Sequence, residues 1–149
     1  MMGFRFRSLT VLVGLVATGC APAEVRGPEL GSRVELVVLG TTDVHGRLVP
    51  WDYFTGREVD YGLARVATLV DSIRAAEPHV LLLDSGDLLQ GNPLTYYWGV
   101  VAPPDTHPVV HAMNLLRYDA AAIGNHEFNY GLDALGRAFE DAAFPLLAG

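Results

Sequence analysis

No lysine occurs among the 149 residues; all ten basic side chains are arginine, set against 17 acidic ones, for a formal charge of −7. Without a basic stripe the chain lacks the electrostatic footprint of a general nucleic-acid binder, so no nucleic-acid polymer is expected as a partner. An anionic small substrate stays open, because bound cations can dominate a local field. A single cysteine, Cys20, excludes any disulfide within the chain. The apolar run over residues 9–17 is too short to span a bilayer comfortably. There is no internal repeat and no low-complexity tract. Half of the residues are hydrophobic, which excludes general disorder and allows a core for one domain.

The N-terminus reads as an export signal over residues 1–19. Arg5 and Arg7 form a positive head, and residues 9–17 form the apolar segment. Leu15-Val16-Ala17-Thr18-Gly19-Cys20 resembles the lipobox of bacterial lipoproteins, with Ala17 where leucine is usual. That likeness makes Cys20 the lipidated residue and implies a lipid anchor in the membrane. Ala21-Pro22-Ala23 offers an ordinary signal-peptidase site as the alternative. Either route exports the protein, to the periplasm or cell envelope. Removing residues 1–19 takes away two arginines and no acids, so the charge becomes −7 − 2 = −9. Residues 20–32, with Pro22, Gly27, Pro28, Gly31 and Ser32, read as a tether.

Beyond the tether the pattern alternates. Strands are expected over 33–39, 79–83 and 120–123, with a fourth beginning at 144–147. The first is a β-branched run suited to burial on both faces. Helices are expected over 61–76, from an N-cap at Thr106 to Leu116, and over 130–142. Residues 40–51 and 88–105 read as connections. In the second of these, Tyr96, Tyr97 and Trp98 fit a core seal better than a base-stacking platform. The order β-α-β-α-β-α-β with continuous apolar strands predicts an α/β fold with a mainly parallel sheet.

Three apolar strands each run into metal-competent side chains. Val37 to Thr42 leads to Asp43 and His45, Val80 to Leu83 leads to Asp84 and Asp87, and Ala120 to Gly124 leads to Asn125, His126 and Glu127. In parallel sheets ligands bind beyond the carboxyl ends of the strands, so the three clusters can share one site. Carboxylate, imidazole and amide oxygen form a donor set suited to Mn, Zn, Fe, Co or Mg. Asp84 is expected to hold the loop around Asp87, and Glu127 to act structurally. His79, His107 and His111 lie outside these clusters and are read as surface or packing residues.

Asp43-Val44-His45, Gly86-Asp87 and Gly124-Asn125-His126-Glu127, in that order, carry a resemblance to the calcineurin-like metallophosphatases. Tyr61-Gly62-Leu63-Ala64-Arg65 and the run from Asp84 to Pro93 extend it toward the group containing 5′-nucleotidases and 2′,3′-cyclic-nucleotide 2′-phosphodiesterases (3′-nucleotidases). The likeness covers nearly all of residues 33–149, read as the N-terminal part of a truncated metallophosphatase domain. It implies a four-layer α/β/β/α sandwich, of which only the βαβαβαβ portion is present. It further implies two divalent cations, with Asp43 and His45 on one, Asp87 bridging and Asn125 on the second. His126 would be the catalytic residue at the phosphate, with metal-activated water attacking phosphorus. Asn129 stands where the 5′-nucleotidases place an aspartate beside the catalytic histidine. Followed by Tyr130-Gly131-Leu132-Asp133, it resembles the cyclic-nucleotide subgroup, and its amide would orient His126.

The expected function is therefore hydrolysis of exported nucleotides, with 2′,3′-cyclic and 3′-nucleotides preferred. A 5′-nucleotidase is the alternative within the family, and a non-catalytic lipoprotein binding metal or nucleotide is the alternative outside it. The resemblance places further histidine ligands in later sequence, so residues up to Gly149 alone are expected to be nearly inactive.

Overall fold

The computed structural model describes residues 31, 33–101 and 106–148 of the chain. The export signal and Cys20 lie outside the described residues, as does the tether except for Gly31. Contacts divide the chain at Val34, and the architecture below is that of the unit beginning at Glu35.

Four strands form a parallel sheet in the order β1-β4-β5-β6: β1 Val37–Thr41, β4 Val80–Asp84, β5 Ala120–Ala122 and β6 Leu146–Leu147. Between β1 and β4 lie a small antiparallel hairpin, β2 Trp51–Asp52 with β3 Arg57–Glu58, and helix α1 Leu63–Ala76. Between β4 and β5, α2 Pro93–Tyr96 runs into a π-helical turn at Tyr97–Val101, followed by α3 Pro108–Leu116. A 3-10 turn at His126–Phe128 and α4 Leu132–Asp141 separate β5 from β6.

Each crossover moves one strand in the same direction. Right-handed crossovers in such an order put every helix on the same face of the sheet. The core agrees: Leu63 and Val70 of α1, Val109, Val110 and Met113 of α3, and Leu135 and Ala138 of α4 pack in one cluster with Leu82 and Ala121. Among the described residues the opposite face is more open. Val38 is 57% and Leu147 55% exposed, which corrects the expectation that the first strand is buried on both sides. The described residues thus form an α/β arrangement of one helical layer on one parallel sheet.

The expected element order is observed, and the differences are local. β1 starts later and ends later than read, because residues 33–36 have no strand partner in the β1–β4 ladder, whose register begins at Val37↔Val80. The hairpin lies in residues given no element. Asp52 closes its turn by accepting from the Phe54 and Thr55 amides at 2.8 and 3.3 Å. In the connection 88–105, Asn92 and Thr95 form a reciprocal cap that starts α2. Of the aromatic trio only Trp98 seals the core, at 1% exposure; Tyr96 and Tyr97 are half exposed. The N-cap of α3 is His107, not Thr106: its Nδ1 accepts from the Val109 and Val110 amides.

Candidate metal centre

The carboxyl ends of β1, β4 and β5 bring three loops together. Past Thr41 and Asp84 the first two loops stay zipped by backbone hydrogen bonds. Asp43 N donates to Gly86 O at 3.2 Å, His45 N to Asp87 O at 2.9 Å and Gly46 N to Leu88 O at 3.0 Å. This pairing holds the backbone in an uncommon shape. The described non-glycine residues with left-handed φ are Asp43 (52°), His45 (48°), Asp87 (62°) and Arg117 (55°), the last being the C-cap of α3. Such conformations cost on the order of 1–3 kcal/mol each and persist only where the surroundings impose them. Three of the four are residues singled out as metal ligands.

The third loop is pressed against the second through glycines. A β-carbon on Gly124 would sit 2.3 Å from Asp87 Oδ1, and one on Gly86 would sit 2.5 Å from Gly124 N. Side chains at either position would force the loops apart. Glu127, 2% exposed, completes the clamp. One of its carboxylate oxygens accepts from Asp87 N at 2.9 Å and Gly124 N at 2.7 Å; the other accepts from the amides of Leu88 and Leu89. Asp84 holds the turn from below, its Oδ1 accepting from Gly86 N at 2.7 Å. Burial raises the Asp84 carboxyl above the ordinary carboxylate range, opposed by hydrogen bonds from Thr41 and Gly86.

The loops converge three donors: one ligand atom each from His45, Asp87 and His126 lie within 4.8 Å of one another. The two rings meet edge to face at 5.0 Å. Asp43 lies beside this group, its Oδ1 3.6 Å from His45 Nε2. Asn125 opens the 3-10 turn between Gly124 and His126, with its side chain exposed and not used as a cap. The structure therefore places His126, the group that the family resemblance sets apart for the phosphate, with the ligand-competent cluster.

Both histidines have their tautomer set from outside. His45 Nδ1 lies 2.8 Å from Gln90 O, and His126 Nδ1 lies 2.6 Å from Asn129 Oδ1. An oxygen acceptor puts the ring proton on Nδ1 and leaves the Nε2 lone pair for a cation, the usual support for metal-ligating histidine. Asp87 keeps one carboxylate oxygen on His126 N at 2.9 Å. Imidazole lone pairs plus partly exposed carboxylates form a donor set that fits a borderline divalent cation.

Sequence reasoning missed two contributors. Gly91 packs so tightly on the His45 ring that a β-carbon there would come within 2.5 Å of His45 Cβ. Arg47 donates to the Tyr61 hydroxyl at 2.7 Å and lines, with Tyr61 and Asp43, a cleft of about 230 Å³. Gly91 stands inside a quoted motif, but no spacing rule discloses what it touches.

Residues 36–148 match the family model described as calcineurin-like phosphoesterase. The chain is 44% identical over 122 residues, 77% of its length, to the trifunctional nucleotide phosphoesterase protein YfkN of Bacillus subtilis, covering 8% of that protein. The crystal structure of the latter's calcineurin-like phosphoesterase aligns with a TM-score of 0.68, covering 75% of this chain and 36% of that one. Identity to the 2′,3′-cyclic-nucleotide 2′-phosphodiesterase/3′-nucleotidase of Yersinia enterocolitica is 38% over 141 residues, 93% of this chain and 21% of the relative. To the 5′-nucleotidase of Bos taurus it is 44% over 121 residues, 76% of this chain and 20% of the relative. The chain thus spans about a fifth or less of the curated relatives it matches.

Proposed function

Given that this chain belongs to the calcineurin-like phosphoesterase family, we propose that it forms the metal-binding part of a hydrolase acting on nucleotide phosphoesters. The observation that carries this reading is the convergence of His45, Asp87 and His126 from three strand ends, with the second and third loops clamped together by Glu127.

Asp43, His45, Asp87 and Asn125 are the residues that would hold two divalent cations, which supply Lewis-acid polarisation of the phosphoryl group and a lowered pKa for water. The chain's own residues do the rest. Gln90 O and Asn129 Oδ1 keep the ring protons of His45 and His126 on Nδ1. His126, tied by its amide to Asp87, would be the residue that meets the phosphate and the leaving oxygen. Arg47 adds positive charge on the Asp43 side of the site.

Within the family we favour 2′,3′-cyclic and 3′-nucleotides as substrates. Supporting this are Asn129, an amide rather than a carboxylate on His126, and the 93% of the chain aligned with the Yersinia relative. The 5′-nucleotidase reading is supported by the bovine relative at 44% identity. Comparing kcat/KM of the full-length protein for cyclic, 3′- and 5′-nucleotides, with and without chelation, decides between them. A clear preference for 5′-AMP reverses the order, and full turnover after rigorous chelation defeats the metal-dependent mechanism. We also read residues 1–19 as an export signal and Cys20 as lipidated, which places the site outside the cytoplasm. Mass analysis of the mature N-terminus tests that.

A further inference from the structure

Beneath the three loops runs a buried hydrogen-bond chain that begins away from them. Tyr118, 5% exposed, sits between α3 and β5, and its hydroxyl lies 2.9 Å from Thr41 Oγ1. Thr41 Oγ1 is 2.5 Å from Asp84 Oδ2, and Asp84 Oδ1 accepts from Gly86 N at 2.7 Å. The protons can be placed by counting. A carboxylate has none to give, so the single hydroxyl proton of Thr41 goes to Asp84. Thr41 is then left as the acceptor, and Tyr118 must be the donor. Burial pushes the Tyr118 hydroxyl above its ordinary pKa, so it keeps its proton at neutral pH.

The far end of the chain is the junction of the site. Gly86 O accepts the Asp43 amide at 3.2 Å, and Gly86 packs directly on the Gly124 backbone. Asp87 follows in sequence. Ser85 N is bonded to Thr41 O at 3.0 Å, so Thr41 holds this turn by both its backbone and its side chain.

We propose that Tyr118 is a positioning residue for the metal centre: through Thr41 and Asp84 it fixes the Gly86 junction on which the three ligand-bearing loops meet. This rests on the metal-centre reading above. A purely structural Tyr118 would behave differently. Its ring lies 6.1 Å from that of Phe144, so loss of packing alone would lower stability and leave Gly86 untouched.

The experiment uses the full-length protein. Tyr118→Phe keeps the ring and removes the hydroxyl. In metal-free protein the Gly86 and Asp43 amides should exchange with solvent several-fold faster. Mn²⁺ affinity should fall by about tenfold, the low end for outer partners of metal ligands. Thr41→Val, of similar shape without a hydroxyl, should reproduce both effects, and Thr41→Ser should restore wild-type behaviour. Phe144→Leu disturbs the packing of the same ring and should lower Tm while leaving both readouts alone. If either readout is unchanged in both Tyr118→Phe and Thr41→Val, the proposal is overturned. Exchange is read without metal or substrate, so a wild-type protein that cleaves no phosphoester defeats the proposed function and not this one.

Discussion

His107 and the pair His45 and His126 are the same residue type used in opposite ways. At His45 and His126 an oxygen sits on Nδ1, so Nε2 carries the lone pair. At His107 the backbone amides of Val109 and Val110 sit on Nδ1, at 3.2 and 3.5 Å, so the proton is on Nε2. That nitrogen has no hydrogen-bond partner among the described residues, and the ring stands edge to face with Trp98 at 4.1 Å. The choice of partner at one ring nitrogen decides whether a histidine caps a helix or can bind a cation. Burial reinforces the division. Desolvation, aided by Arg137, holds His107 down to a pKa of about 3, so it stays neutral.

The contrast is most sharply broken at Asp87, the carboxylate bonded to His126 N. Asp87→Ala should lower turnover by more than about a hundredfold, beyond what outer partners of a metal ligand contribute, and reduce bound metal measured by elemental analysis. Retained metal and turnover would place the centre elsewhere.

On the structural side, the prediction is a pH slope. The folded pKa of His107 is depressed to about 3 from an ordinary 6.5, so on acidification the unfolded chain binds the proton first. The stability it contributes is complete above pH 6.5 and is lost as the pH falls toward 3. Between pH 6.5 and 5, where carboxylates contribute little, that loss is about 2 kcal/mol. Urea titrations of wild type and His107→Asn, a capping residue without the titration, should differ by that slope, with Mn²⁺ affinity unaffected. Parallel pH profiles would show that His107 does not titrate with unfolding.

A smaller effect is expected where the loops touch. Gly124→Ala puts a methyl 2.3 Å from Asp87 Oδ1, and Mn²⁺ affinity by calorimetry should fall by about tenfold as Asp87 is displaced. Wild-type affinity would mean that the loops yield without moving the carboxylate.

The smallest difference lies between two ways of deleting one side chain. Asp43 has φ of 52°, where glycine is unstrained and alanine is not. Asp43→Gly should be about 1 kcal/mol more stable than Asp43→Ala in thermal unfolding, although both lose the same carboxylate. Equal stability would show that the left-handed backbone relaxes once the side chain is gone.

The α/β order and the strand ends that bring His45, Asp87 and His126 together were legible in the sequence, because apolar runs and the polar residues after them are local patterns. Helical spacing over 61–76 puts Leu63, Val66, Leu69, Val70 and Ile73 on one apolar side; Leu63 and Val70 are buried, whereas Leu69 is 59% exposed. Periodicity did not reveal that β1 exposes Val38 among the described residues, since a β-branched run reads alike whether one face of its sheet is covered or both. His107 read as an ordinary helix-entry residue because capping by an imidazole has no spacing signature. Neither did any pattern tie Tyr118 to Thr41, 77 positions apart.

By itself, then, the sequence determined which chemical groups are available and on which strand ends they stand, since both follow from residue type and local period. Tertiary structure alone decided which ring nitrogen His45 keeps free, which loops a glycine lets touch and that Glu127 gathers the amides of Asp87, Leu88 and Leu89 onto its carboxylate. Those outcomes depend on hydrogen-bond partners brought together across some forty residues of chain, and the partner, not the residue, sets the proton and the distance.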